Sequence, residues 1–120
     1  MLIENISSVV AASEKDVTEI IKPSEIQVEV LNGSGVSGIA DKFTEFLRTK
    51  NYDVVNVGNY RSFNVDNTII IDRTGDMSKA LAVAKTLGIK QRQVIRQVNK
   101  NYFLDVSIII GKDINQISMN

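Results

Sequence analysis

The chain has 120 residues, 43% hydrophobic and 23% charged, with seven glycines and one proline, a composition that fits one soluble globular domain and excludes a disordered or fibrous chain. Fourteen basic side chains balance fourteen acidic ones, so bulk charge gives no argument for nucleic-acid or membrane binding. Cysteine and histidine are both absent, which excludes disulfides and thiolate chemistry and removes the commonest zinc ligands and the commonest general base.

Residues 1–25 read as an N-terminal helical arm. Ile3, Ile6, Val10, Val17 and Ile20 recur at helical spacing, and Ser13-Glu14-Lys15-Asp16 resembles a helix start with acids in its first turn. The arm is either a loosely attached linker or an integral packed helix, and Pro23-Ser24 marks its end. Met1 to Ala12 lacks a basic start and a continuous apolar stretch, so no secretory signal is read there. No apolar run approaches the ~20 residues a helix needs to span a bilayer. Direct membrane insertion by this chain is not expected, and an exported parent would carry its signal or anchor elsewhere.

The main domain is expected over residues 26–114, with a short tail at 115–120. Ile26, Val28 and Val30 alternate with Gln27 and Glu29, the period of a strand with one buried face. A glycine loop follows, then a helix with Ile39, Ala40, Phe43, Phe46 and Leu47 on one stripe, Ser37 as its expected cap and Asn51 as its closing residue. Tyr52 to Val57 reads as a second strand, Gly58 to Asn67 as the longest loop, and Thr68 to Asp72 as a third strand. Asp76 is the natural cap of a second helix carrying Met77, Ala80, Leu81, Ala84 and Leu87, with Gly88 as its stop. Val94 to Val98 forms a fourth strand, Asn99-Lys100-Asn101 a turn, and Leu104 to Ile110 the last strand. The expected fold class is α+β: a two-layer α/β sandwich in β-α-β-β-α-β-β order, a mixed sheet with both main helices on one face. Alternation in most strands leaves the other face to solvent or a partner. Strand order stays open.

Gly33, Gly35 and Gly38 form a G-x-G-x-x-G set between a strand and a helix, the context of a dinucleotide fingerprint. That reading requires an acid at the end of the second strand, where Val57-Gly58-Asn59 stands; Asp53 lies at the strand's beginning. A P-loop requires Gly-Lys followed by Ser or Thr, and Gly38 is followed by Ile39-Ala40. No nucleotide or other cofactor is therefore expected. Asn32, Gly33, Ser34, Gly35, Ser37 and Gly38 are either a tight strand-to-helix turn or a set of amides that receives a carboxylate or phosphate. In the long loop, Tyr60, Arg61 and Phe63 either stack on a ligand or fold inward over the sheet edge. Arg73, Lys79, Lys85, Lys90, Arg92, Arg96 and Lys100 face a single acid, Asp76, within their stretch, and form either one basic face or a solvated surface. No catalytic pair of carboxylates and no metal site is read from Asp72, Asp76, Asp105 and Asp113.

Three segments carry a resemblance. Val28-Glu29-Val30-Leu31-Asn32-Gly33-Ser34-Gly35-Val36-Ser37-Gly38-Ile39-Ala40 resembles the opening of the LytR C-terminal domain family. Tyr52-Asp53-Val54-Val55-Asn56-Val57-Gly58-Asn59 continues it, and Asp105-Val106-Ser107-Ile108-Ile109-Ile110-Gly111-Lys112-Asp113 looks like the family's closing strand and Gly-x-Asp end. The resemblance covers about residues 26–114. It implies an extracytoplasmic accessory module of a membrane-anchored bacterial envelope protein, often behind a LytR-CpsA-Psr domain that transfers glycopolymers to peptidoglycan. It carries no catalytic residues. The expectation is a non-enzymatic module that binds or positions peptidoglycan or an anionic glycopolymer, with Asn32, Gly33, Ser34, Gly35, Ser37, Gly38, Tyr60, Arg61 and Phe63 as contacts. The partner is then a cell-wall polymer or an envelope protein, with no nucleic acid. The alternatives are a protein-interaction or self-association domain, which allows a homo-oligomer, and a small phosphoryl- or glycan-processing enzyme.

Overall fold

The computed structural model describes residues 21–99 and 101–117. Most of the expected arm and the end of the tail lie outside them. The first described feature is a single 3-10 turn at Pro23–Glu25. The elements that follow are β1 (Gln27–Asn32), α1 (Ile39–Thr49), β2 (Asp53–Asn59), β3 (Ile69–Asp72), α2 (Met77–Leu87), β4 (Val94–Arg96) and β5 (Val106–Ile110).

The sheet order is β2-β1-β5-β3-β4. Each helix connects two neighbouring parallel strands, β1 to β2 through α1 and β3 to β4 through α2. The last strand is inserted between these two units, parallel to β1 and antiparallel to β3. The sequence Val106-Ser107-Ile108-Ile109-Ile110 suits that central place, because a strand with neighbours on both edges and helices over one face is buried along its whole length. The segment at Asn99–Asn101 consequently does not join adjacent strands. It belongs to a longer passage that carries the chain from the edge strand β4 to the middle of the sheet.

Both helices pack on one face. Val28, Val30, Ile70, Val106, Ile108 and Ile110 point towards Phe43 and Leu47 of α1 and towards Ala80, Val83 and Leu87 of α2 in one continuous core. Each fully buried Leu, Phe or Ile contributes about 1.5–3 kcal/mol relative to an exposed position. Tyr52 ties the two halves together: its hydroxyl donates to the Ala82 carbonyl at 3.2 Å and bonds the Thr86 hydroxyl at 2.7 Å.

The caps divide between expectation and correction. Asp76 caps α2 by accepting from the Ser78 amide, and Gly88 ends it in the left-handed conformation. Asn51 closes α1 with φ 72°, as its tolerance of that region suggests. Ser37 is not the cap of α1. Gly38, at φ 80°, holds that position without a side-chain bond, because the left-handed turn places the glycine at the boundary.

A β-bulge between Val28 and Glu29 shifts the register against β2, so Glu29 faces Asn56 and Val55 is left over. On the side of the sheet away from the helices, Glu29 and Leu31 of β1 lie beside Ser107 and Ile109 of β5, and these beside Ile71 and Ile69 of β3. No helix among the described residues covers this face.

Candidate functional site

The glycine loop is held by its own side chains. Asn32 Oδ1 accepts from the Ser34 amide at 2.9 Å and from the Ser34 hydroxyl at 2.7 Å, and Asn32 Nδ2 donates to the Val36 carbonyl at 2.9 Å. The Val36 amide in turn donates to Ser34 Oγ at 3.0 Å. Gly33 donates to Ile110 O and accepts from the Val65 amide; a Cβ on it would lie 2.7 Å from Val65 Cγ2 and 2.9 Å from Ile110 O. Close approach of backbone explains this glycine, and positive φ explains Gly35 and Gly38. Two of the loop's amides are thus already spent inside it. A small cavity of about 200 Å³ lies beside the loop, lined by Asn32, Gly38, Ala40, Asp41 and the Val57–Asn59 end of β2.

The long loop splits its three expected residues. Phe63 sits against the glycine loop, its Cβ 3.4 Å from where a Cβ on Gly35 would stand. Tyr60, whose amide donates to Asn32 O at 2.8 Å, turns the other way with the Arg61 guanidinium 5.4 Å from its ring centre. These two residues form one wall of a groove of about 410 Å³ on the uncovered sheet face. Its floor is Leu31, Ile71 and Ile109, and its far wall contains Arg73, Gln97 and Tyr102.

Beneath that groove runs a buried polar chain. Glu29 is only 4% exposed and Arg73 only 8%. Asn56 Nδ2 donates to Glu29 Oε1 at 2.9 Å, the Ser107 hydroxyl donates to Glu29 Oε2 at 2.6 Å, and Arg73 Nε donates to Ser107 Oγ at 2.9 Å. Arg73 Nη1 continues to Gln97 Oε1 at 2.9 Å and Gln97 O at 3.2 Å. Tyr102 lies over the guanidinium, 4.1 Å from ring centre to Cζ, within cation-π range. The bulge positions Glu29 opposite Asn56, and the β3–β5 register pairs Ile71 with Ser107, so that Arg73, two residues on, reaches Ser107 diagonally on the same face.

Other charged groups serve the frame. Asp72, fully buried, accepts from the Thr74 and Gly75 amides and pairs with Arg96 at 3.4 Å. Asp105 accepts from the Gln27 amide and pairs with Lys79 at 3.2 Å. Asp113 accepts from the Thr68 amide and hydroxyl and from Gln93. The basic stretch does not make one face: Arg73 is buried on the open side, Lys79 and Arg96 are paired, and Lys90 and Arg92 are exposed beyond α2.

Sequence reasoning missed Glu29, Arg73, Gln97, Tyr102 and Ser107 as one group. The available signals were a serine inside an isoleucine run and a glutamate inside a valine alternation, both of which read equally well as solvent-facing positions.

The family described as the LytR cell envelope-related transcriptional attenuator, LytR_C, matches residues 25–113. The chain belongs to the LytR C-terminal domain family. A similar fold occurs in the crystal structure of the soluble domain of a conserved hypothetical secreted protein from Mycobacterium marinum. The TM-score is 0.64 at 18% identity, with 89% of this chain and 74% of that one covered. No curated protein matches the chain significantly. The LytR C-terminal motifs now have positions: the opening segment is β1, the glycine loop and the start of α1; the second is β2; the closing segment is β5 and the clamp behind it. In that clamp Gly111 donates to Thr68 Oγ1 at 2.9 Å and Asp113 holds the same threonine. A side chain at position 111 would run into the Asn67–Thr68 backbone at 2.5 Å.

Proposed function

We propose that this LytR C-terminal domain is a non-catalytic extracytoplasmic module that binds or positions a cell-envelope component, peptidoglycan or an anionic glycopolymer, for a larger envelope-biogenesis protein. The observation that carries this reading is the groove on the uncovered sheet face, whose lining among the described residues includes Arg61, Arg73, Tyr60 and Tyr102 and no carboxylate. Tyrosine rings offer flat apolar surface with a polar tip, and cations favour an acidic polymer. The family's envelope description and the secreted nature stated for the M. marinum protein support the location. Asn59 lines both the groove and the smaller cavity at the glycine loop, so a polymer leaving the groove at that end meets Asn32 and Gly38. Phe63 borders the same loop, and the rest of Gly33 to Ser37 shapes it.

The test is co-sedimentation of the purified chain with peptidoglycan sacculi and, separately, with sacculi that retain their anionic glycopolymer. Retention in the pellet that weakens with salt is expected. A chain that stays in the supernatant with both materials refutes the proposal.

A second reading, self-association or protein binding, is favoured by Phe103 at 89% exposure and by Val55 at 46% on β2, an edge strand of the sheet among the described residues. A sedimentation coefficient that does not change with concentration counts against self-association.

A further inference from the structure

The geometry points to Arg73 as the residue that reads charge in the groove, receiving the single carboxylate of an acidic sugar whose ring rests against Tyr60 and Tyr102. This inference rests on the groove being the envelope-polymer site and names what that site recognises.

Arg73 has five N–H donors. Nε is committed to Ser107 and Nη1 to Gln97, which leaves Nη2 without an acceptor among the described residues. No buried side-chain nitrogen or oxygen among those residues lacks a partner, so Nη2 reaches solvent although the residue as a whole is nine-tenths buried. Arg73 lines the groove, and its guanidinium lies against the Tyr102 ring while Ser107 and Gln97 fix its in-plane orientation. A donor that is fixed, partly desolvated and open on one side binds an anion more strongly than a mobile surface lysine, because little orientation remains to be lost.

Charge balance selects the ligand. Glu29 lies beneath the floor and offsets Arg73 through Ser107, so among the described residues Arg61 is the cation of the groove lining that no such partner offsets. Asp105 lines a neighbouring cavity that Arg73 and Tyr102 also border, and there Lys79 and the Gln27 amide hold it. A monoanion matches the Arg61 charge, whereas a phosphomonoester at about −1.5 to −2 exceeds it. The volume of about 410 Å³ lies within the range of small-molecule sites, and the apolar floor with a tyrosine on each wall suits a sugar ring.

The experiment is an NMR titration of the isotopically labelled whole chain with three probes: N-acetylmuramate, neutral N-acetylglucosamine, and N-acetylglucosamine 6-phosphate. Saturable shifts of the Arg73 Nε–H and the Tyr60 and Tyr102 ring signals are expected with N-acetylmuramate, at roughly tenfold higher affinity than the neutral sugar. Arg73→Lys keeps the charge but loses the oriented fork, and should weaken N-acetylmuramate by about tenfold. If that variant fails to fold, Tyr102→Ala removes an exposed ring and should weaken the acid several-fold. Equal response to acid and neutral sugar, tighter binding of the phosphate, or unchanged affinity in a folded variant overturns the inference. A chain that sediments with sacculi but ignores N-acetylmuramate overturns it while the envelope reading stands. Binding of N-acetylmuramate without retention on sacculi supports the inference and sinks the envelope reading.

Discussion

Ser107→Ala is the most informative stability test, because one hydroxyl joins two buried charged side chains. In the wild type that hydroxyl donates to Glu29 at 2.6 Å and accepts from Arg73 at 2.9 Å. Its removal leaves a buried carboxylate oxygen and a guanidinium N–H without the hydroxyl that joins them. Hydrogen bonds to charged groups contribute ~1.5–3 kcal/mol each, and relaxation recovers part of the loss, so a net destabilisation of about 3 kcal/mol is expected. At roughly 4–8 °C per kcal/mol for a domain of this size, the melting temperature should fall by more than about 10 °C. Circular dichroism melts, with urea titration for the free energy, measure it. The companion variant Glu29→Leu/Ser107→Ala/Arg73→Leu should recover most of the loss, since exchanging a whole buried ionic group for apolar side chains is often close to neutral. A fall of less than about 3 °C for Ser107→Ala would show that the hydroxyl does not bridge buried charge. A triple variant no more stable than the single one would assign the cost to packing instead.

The frame supplies further tests. Gly111→Ala places a methyl 2.5 Å from the Asn67 backbone carbon and should cost at least about 2–3 kcal/mol in urea unfolding, because the obstacle is backbone. Gly38→Ala meets no atom within 4 Å and should cost only about 1 kcal/mol, from its φ of 80°; equal losses at the two sites would refute the steric argument. Asp76→Ala should cost about 1 kcal/mol as a lost helix cap. The Ser78 hydroxyl and amide hold the Asp76 carboxyl below the usual aspartate range. Its pKa is lower folded than unfolded, so its stabilisation is complete above the ordinary value of about 3.9 and disappears as pH falls through the folded value. Asp76→Asn keeps a cap without that titration and should show a shallower loss of urea midpoint in acid; identical acid limbs would exclude the linkage.

The glycine loop and the sheet-face groove differ in how they could be read. Gly33, Gly35 and Gly38 announce themselves because glycine spacing is a local signal, and the loop is a turn tied by Asn32 and Ser34. Tyr60 and Arg61 were legible as candidates because aromatic and basic residues stand out in a polar loop. They line the groove, but its other wall comes from Arg73 after β3 and from Gln97 and Tyr102 after β4. Glu29, Arg73 and Ser107 carry no local signal, since each is one polar residue in an ordinary strand or turn.

The element order, most of the caps and the single-faced core were legible along the chain, because periodicity, capping and turn chemistry act over a few residues. The tertiary structure decided that β5 enters between β1 and β3. That placement is a competition among distant strands for the most buried position, and it brings Ser107 between Glu29 and Arg73. The bulge at Val28 and Glu29 adds Asn56 to the same line. Spatial coincidence of residues 29, 73, 102 and 107 is what lays a buried ionic chain along the uncovered sheet face.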